Sequence, residues 1–238
     1  DGQDGDKNGI YGQMYDNTGA VSGNEFQINT FTTRNQSSPS VTSMSDGGFM
    51  VAWHSNHQAH QSYEIFGQRF NSAGYPWGAE FQINTETLYG QFNPSIAGLI
   101  DGGFVVTWIG DDMYDEGIFG QRYDISGRSV GNEFRINSYQ TDSQREPFVV
   151  SLSDGGFVVT WESWNQDGFR NGIYGQRYDD KGAFIGDEFQ INTYTEESQS
   201  RPSVASLSGG GFIVTWDSYN QTSEGEIFGQ RYDSLGKP

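Results

Sequence analysis

The chain has 238 residues, with 31 Asp plus Glu against 13 Lys plus Arg for a formal charge of -18, and it has no cysteine. That charge repels a polyanion, which argues against nucleic acid as a partner, and the absent thiol excludes disulfides, thiolate metal sites and a cysteine nucleophile. Aromatics at 15%, 33 glycines and only 6 prolines suit many short strands joined by tight turns, and no apolar run approaches the ~20 residues of a membrane span.

Residues 4–9 read Asp-Gly-Asp-Lys-Asn-Gly, in which Asp4, Asp6 and Asn8 alternate as the oxygen ligands of a calcium loop do before a turning glycine. The distal Glu of an EF-hand is missing, and a flexible acidic terminus is the competing account. The start at Asp1, with no signal-like segment, reads as a processing point or a cut end. From Ile10 the motif Ile-aromatic-Gly-Gln marks a strand, and Asp16, Gly19 and Gly23 turn it into a second strand carrying Glu25-Phe26-Gln27-Ile28-Asn29. Pro39-Ser40-Val41 opens a third stretch. Asp46-Gly47-Gly48 turns it, and a period-two strand runs on to Trp53. The loop that follows holds all three histidines, His54, His57 and His60, which are candidate ligands for zinc, nickel or copper. Their repeat equivalents are ordinary polar residues, Glu162 and Asp217 for His54 and Asn165 and Asn220 for His57.

These elements recur. Ile-aromatic-Gly-Gln starts at Ile10, Ile65, Ile118, Ile173 and Ile227; Glu-Phe-x-Ile-Asn starts at Glu25, Glu80, Glu133 and Glu188; the Gly-Gly-Phe strand ends at Trp53, Trp108, Trp161 and Trp216. A unit of about 54 residues with four strands in meander order predicts an all-β fold, a β-propeller of four-stranded antiparallel blades. Four blades with a surplus terminal strand are expected, within one repeat-built domain over 1–238. The Gln-bearing third strand occurs five times and its companions four. Either Glu25–Asn29 closes the last blade as a clasp, displacing residues 10–16 or 227–233 to an edge or to another chain, or the chain is a piece of a longer array. Arg69, Arg122 and Arg177 each precede a Glu (Glu80, Glu133, Glu188) by 11 positions, which predicts a cross-strand ion pair.

The strings Gly-Ile-Tyr-Gly-Gln-Arg-Tyr-Asp at 172–179, Glu-Phe-Gln-Ile-Asn-Thr at 188–193 and Ser-Asp-Gly-Gly-Phe-Val-Val-Thr-Trp at 153–161 resemble a tandem repeat of large secreted bacterial proteins described as RTX-like or haemolysin-like and calcium-associated. The resemblance covers nearly the whole chain. It implies an extracellular or cell-surface location and an adhesive role. The Gly-Gly-x-Gly-x-Asp nonapeptides of true RTX rolls are absent, so their calcium ions are not carried over.

The loops after the Trp strands vary most, and variable loops on a rigid repeat are where ligand contacts arise. Trp164, Asn165 and Gln166, with Tyr219, Asn220 and Gln221, put a flat aromatic face beside amides, which suits a sugar. The non-recurring Tyr114 and Trp77 join them as ligand candidates, whereas the recurring Trp residues read as core. No nucleophile elbow, phosphate loop or histidine outside the one loop points to catalysis. The expected function is therefore an extracellular binding or adhesion module, not an enzyme, that recognises carbohydrate or a cell-surface protein, with calcium as the candidate cofactor. The alternatives are a structural spacer or surface-layer unit that self-associates through edge strands, and a polysaccharide-degrading enzyme working through paired carboxylates.

Overall fold

The computed structural model describes residues 2–111, 115–219, 221 and 225–238, and among them every regular element is a β-strand. A two-stranded sheet comes first, β1 (Tyr11–Tyr15) and β2 (Val21–Gln27). Three four-stranded meanders follow: β3 (Gln36–Ser43), β4 (Phe49–Asn56), β5 (Tyr63–Phe70) and β6 (Phe81–Gln82); then β7 (Gln91–Gly98), β8 (Phe104–Asp111), β9 (Glu116–Tyr123) and β10 (Ser129–Arg135); then β11 (Gln144–Ser151), β12 (Phe157–Trp164), β13 (Asn171–Tyr178) and β14 (Phe184–Gln190). A three-stranded sheet ends the series, β15 (Gln199–Ser206), β16 (Phe212–Ser218) and β17 (Glu226–Tyr232). All pairings are antiparallel. This is a β-propeller of four-stranded blades, and the 17 strands among the described residues are one more than four blades use.

Each sheet buries a face against the next. Between the second and third sheets Met44, Met50, Ala52 and Ile65 meet Ile96, Phe104, Val106, Trp108 and Tyr123, and equivalent sets fill the other three seams. Period two puts the Phe and Trp of each Gly-Gly-Phe strand on this face. The Phe then stacks on the aromatic closing the neighbouring third strand, as in Phe104 on Tyr123 at 4.8 Å and Phe157 on Tyr178 at 4.4 Å. The hairpin glycines have two separate reasons. Gly47, Gly102 and Gly155 adopt φ of 83°, 87° and 92°. At Gly48, Gly103 and Gly156 a Cβ would collide with the carbonyl of Phe70, Tyr123 and Tyr178, well inside contact distance.

Two side chains couple each repeat to the next. The Asn of Glu-Phe-x-Ile-Asn accepts the backbone N–H of the Ile opening the third strand, at 2.6 to 2.8 Å for Asn29, Asn84, Asn137 and Asn192. Its amide donates to the carbonyl two residues on, holding the connection to the following sheet. The Glu of the same motif departs from expectation. Glu80, Glu133 and Glu188 accept the N–H, at 2.6 Å, and the hydroxyl of Thr30, Thr85 and Ser138 in the preceding repeat. The arginines pair instead with the hairpin acids, Arg69 with Asp46 at 2.7 Å, Arg122 with Asp101 at 3.6 Å and Arg177 with Asp154 at 3.4 Å. A register shift explains the difference: the fourth-strand residues opposite Arg122 and Arg177 are Val130 and Ile185, and Glu133 falls inside the bulge. The clasp is also corrected, because β2 pairs with β1 and not with the last sheet.

The first strand of every complete or nearly complete sheet carries a bulge, with register shifts at Ser37/Ser40, Phe92/Ser95, Arg145/Phe148 and Ser200/Ser203. In each, one non-glycine residue adopts a left-handed backbone: Ser38, Asn93, Glu146 and Arg201, at φ of 47° to 54°.

Glu64 stands where three other repeats have Gly9, Gly117 and Gly172. It is fully buried, and one carboxylate oxygen takes the amide of Asn84. Burial, helped by the charges of Glu133 and Glu86 and opposed by that hydrogen bond, pushes its carboxyl up to about 7 from the usual 4.5. A carboxyl raised on folding contributes stability that is complete below about pH 4.5 and lost as pH rises through 7. Glu64→Gln is therefore expected to gain roughly 2 kcal/mol on the wild type between pH 4.5 and 8, read as a widening gap between their denaturant midpoints; parallel pH profiles would refute the assignment.

Candidate active site

The ends of the sheets where the first strands begin also carry the loops after the Trp strands. The position after each Trp points away from the Trp face, and in two seams it captures the backbone N–H of the left-handed residue in the next sheet. His54 Nδ1 accepts from Asn93 N at 3.3 Å, and Glu162 Oε1 accepts from Arg201 N at 2.6 Å. The same position is Ile109 in the intervening repeat, which has no such group to offer.

Between the third and fourth sheets this end opens into a polar pocket of about 370 Å³ lined by Asp115, Asp142, Ser143, Arg145, Glu162, Trp164 and Asn171. Glu162, directly after the fully buried Trp161, is only 8% exposed. Its second oxygen accepts the amide of Asn171 at 3.1 Å. Burial raises its pKa, with the Glu146 charge adding to the effect and the Arg201 N–H and the Arg145 and Arg201 charges opposing it. Asp142 comes from the connection between β10 and β11 and has a left-handed backbone at φ 60°, while Asp115 comes from the segment leading into β9. Arg145, opposite Glu162 on β11, pairs with Glu116. Three carboxyl groups, one of them buried, thus share one opening with an exposed indole.

Among the sequence candidates, Trp164 lines this pocket with 41% of its surface exposed. Asn165 turns the loop in a left-handed conformation (φ 57°), its N–H donating to the Arg170 carbonyl. Gln166 donates through its amide to Glu188. Tyr219 is exposed on the last sheet, and Gln221 accepts a hydrogen bond from Ser218 at 3.1 Å. Trp77 lies at the opposite end of β5, with the Arg69 guanidinium 4.0 Å over its ring. Tyr114 and Asn220 lie outside the described residues.

Some of the candidate metal ligands are engaged within the protein, while Asp4 Oδ2 is buried without a hydrogen-bond partner. Asp6 accepts the Arg34 N–H at 2.6 Å, Asn8 accepts the Gln36 N–H through its carbonyl at 2.8 Å, and the Asp4 carboxylate packs over Gly9 as Asp167 does over Gly172. Among the described residues no group of three His, Asp or Glu side chains is placed to hold a metal ion. The histidines differ in setting: His54 is buried on β4, His57 pairs with Asn56 at 2.7 Å, and His60 lies exposed in the loop. Ser37 Oγ lies 2.7 Å from His54 Nε2, but the Asn93 N–H occupies Nδ1, so Nε2 carries the proton and donates to the hydroxyl. That tautomer is the wrong one for a base that activates serine.

Sequence reasoning passed over Glu162, Asp142, Asp115 and Arg145. The available signal was the change at the position after Trp, from His54 to Ile109 to Glu162 to Asp217, which reads as ordinary polar variation until the next sheet closes over it.

No family model and no curated protein matches the chain. Solved structures do. A Hadza microbial sialidase, Hz136, superposes with a TM-score of 0.58 at 14% identity, covering 85% of this chain and 45% of that one. The α-L-arabinanase of Penicillium chrysogenum complexed with arabinobiose gives 0.60 at 15%, covering 83% and 66%. The GH93 α-L-arabinofuranosidase of Fusarium graminearum with arabinobiose gives 0.58 at 12%, covering 85% and 65%. The chain thus spans less than half the length of the sialidase. At these identities the likeness establishes the β-propeller fold. Against the expectation of an adhesion module that is not an enzyme, the structures resembled are named as a sialidase, an arabinanase and an arabinofuranosidase.

Burial lowers the His54 pKa to about 4 from 6.5. A histidine kept neutral by folding contributes stability that is complete above about pH 6.5 and lost as pH falls through 4. His54→Gln is expected to be less stable than the wild type at pH 7 and to close that gap by pH 4; thermal melts across this range that stay equally spaced would contradict it.

Proposed function

We propose that the chain is a glycoside hydrolase that cleaves a neutral polysaccharide in the pocket between the third and fourth sheets. The observation that carries this reading is Glu162, a buried carboxyl with a raised pKa that shares an open pocket with Asp142, Asp115 and the exposed ring of Trp164. In this role protonated Glu162 gives its proton to the glycosidic oxygen as the bond to the anomeric carbon breaks, and Asp142 activates the incoming water or attacks that carbon. Trp164 stacks on the C–H face of a sugar ring, while Asn171 and Ser143 take hydroxyls. A neutral substrate follows from charge. The overall balance is -18, and the rim arginines are already paired, Arg145 with Glu116, Arg170 with Glu197 and Arg201 with Asp217. Such a substrate is met outside the cell or at its surface.

Release of reducing ends from a panel of neutral polysaccharides tests the reading. Glu162→Gln and Asp142→Asn are expected to lower turnover by roughly 10²- to 10⁴-fold without loss of folding, and Trp164→Ala to raise KM. The rate should fall as pH rises past the Glu162 pKa, since only the protonated carboxyl serves as acid. No release by a folded sample, or full activity in Glu162→Gln, would sink the proposal.

A further inference from the structure

In the third and fourth sheets the fourth strand is bulged opposite the Gln of the Gly-Gln-Arg motif. On the third sheet Gly120 pairs with Phe134 and Arg122 with Val130, so Gly131, Asn132 and Glu133 all face Gln121; on the fourth, Gly175 pairs with Phe189 and Arg177 with Ile185, so Gly186, Asp187 and Glu188 face Gln176. The glutamine bridges the gap that the bulge leaves. The Gln176 amide donates to the carbonyls of Arg177 at 2.9 Å and Gly186 at 3.2 Å, and Gln121 does the same with Arg122 at 2.9 Å and Gly131 at 3.4 Å. Gln176 is 3% exposed. Both of its N–H groups are used in this way, and no donor among the described residues reaches its Oε1.

Outside these bulges the seams open to solvent. A groove of about 480 Å³ between β10 and β14 is lined by Gln176, Phe184, Asp187, Glu188, Ser138 and Gln166. A second, of about 450 Å³ between β6 and β10, has Gln121, Ser129, Asn132 and Glu133 at the same repeat positions. Ser129 is exposed although its sheet has a complete four-stranded sheet before and after it, so the outward exposure of this position belongs to the repeat itself.

The two grooves differ in what they contain. Where the second has Ser129 and Asn132, the first has Phe184, which lies 5.2 Å from the Tyr178 ring with 60% of its surface exposed, and the exposed carboxylate of Asp187. Glu188 is occupied by the N–H and hydroxyl of Ser138 and by the Gln166 amide, and Arg135, which also lines the groove, donates to Asn137 at 3.3 Å. The first groove therefore offers a flat apolar ring, a buried carbonyl oxygen without a donor and one open carboxylate. A sugar ring has the complementary features, a C–H face and hydroxyl donors.

We propose that the groove between β10 and β14 is a neutral-sugar-binding site separate from the candidate active pocket: Phe184 stacks on the C–H face of one ring, while Gln176 Oε1 and the Asp187 carboxylate accept from its hydroxyls. Asp187 and the overall charge of -18 oppose an anionic sugar. The proposal stands on the groups of this groove and not on cleavage. The loop after β12 borders both openings, with Trp164 lining one and Gln166 the other, which places this second hold on a polysaccharide in the same seam as the first.

The test is made in a Glu162→Gln, Trp164→Ala background, which removes turnover and the ring contact of the active pocket. Affinity electrophoresis through gels containing xylan, mannan, galactan, arabinan or β-glucan identifies a retarding polymer, and titration calorimetry with its oligosaccharide gives the affinity and stoichiometry. One oligosaccharide per chain is expected, bound about tenfold more weakly in Phe184→Ala and in Asp187→Ala. Both side chains are exposed, and circular dichroism checks that each variant is folded. Ser129→Phe with Asn132→Asp, which copies the two differences into the second groove, is expected to raise the stoichiometry to two. No retardation by any of the polymers, binding that Phe184→Ala and Asp187→Ala leave unchanged, or a stoichiometry that stays at one would overturn the proposal. Reducing-end release by the wild type judges the hydrolase reading separately, so either can fail while the other stands.

Discussion

A four-stranded sheet of this length has two faces and cannot bury either by itself; everything else in the structure follows from the need for a neighbour. Trp53, Trp108 and Trp161 are completely buried because another sheet lies over each. Each such ring contributes about 5 kcal/mol of apolar burial that an isolated repeat would forgo. The polar couplings serve the same end. The Asn that pins the third strand also fixes the exit to the next sheet, and the Glu one repeat further along reaches back to the Thr or Ser of the repeat before it. The arginines complete the set by bridging a hairpin acid in their own repeat and a turn carbonyl in the next, as Arg122 does with Asp101 and Asp180 and Arg177 with Asp154 and Ser234.

Strands and turns were legible from residues because they depend on local rules. Period-two apolar residues, paired glycines at the hairpins and a repeat of fixed length leave little freedom once read together. What escaped depends on register. The Arg–Glu spacing of 11 points to a cross-strand pair only if the fourth strand runs without interruption, and the bulge before Glu133 moves Val130 opposite Arg122 instead. The histidines likewise depend on more than spacing: three close positions in sequence are spread over a strand end, a left-handed turn and an open loop.

The candidate site was harder to see because its parts are remote in sequence. Glu162 is desolvated by a sheet whose contacting residue, Arg201, lies 39 positions later, and Asp142 belongs to a connection with no strand pattern of its own. Regularity also concealed it. At a position where His54 and Glu162 both hold the next sheet's backbone, the shared structural duty masks the one copy that places a carboxyl in an open pocket.

The left-handed residues Ser38, Asn93, Glu146 and Arg201 share one backbone conformation while bearing a hydroxyl, an amide, a carboxyl and a guanidinium. Because the bulge is imposed by strand pairing, the backbone there tolerates whichever group it is given, at a cost of about 1 kcal/mol each. Four chemically distinct substituents are thereby presented at corresponding points around the molecule, and they link neighbouring sheets: Ser38 donates to Asn93 at 3.1 Å and Asn93 to Glu146 at 3.4 Å. A combinatorial library restricted to these four codons would vary the polar contacts between sheets at this rim while keeping the bulge that strand pairing sets.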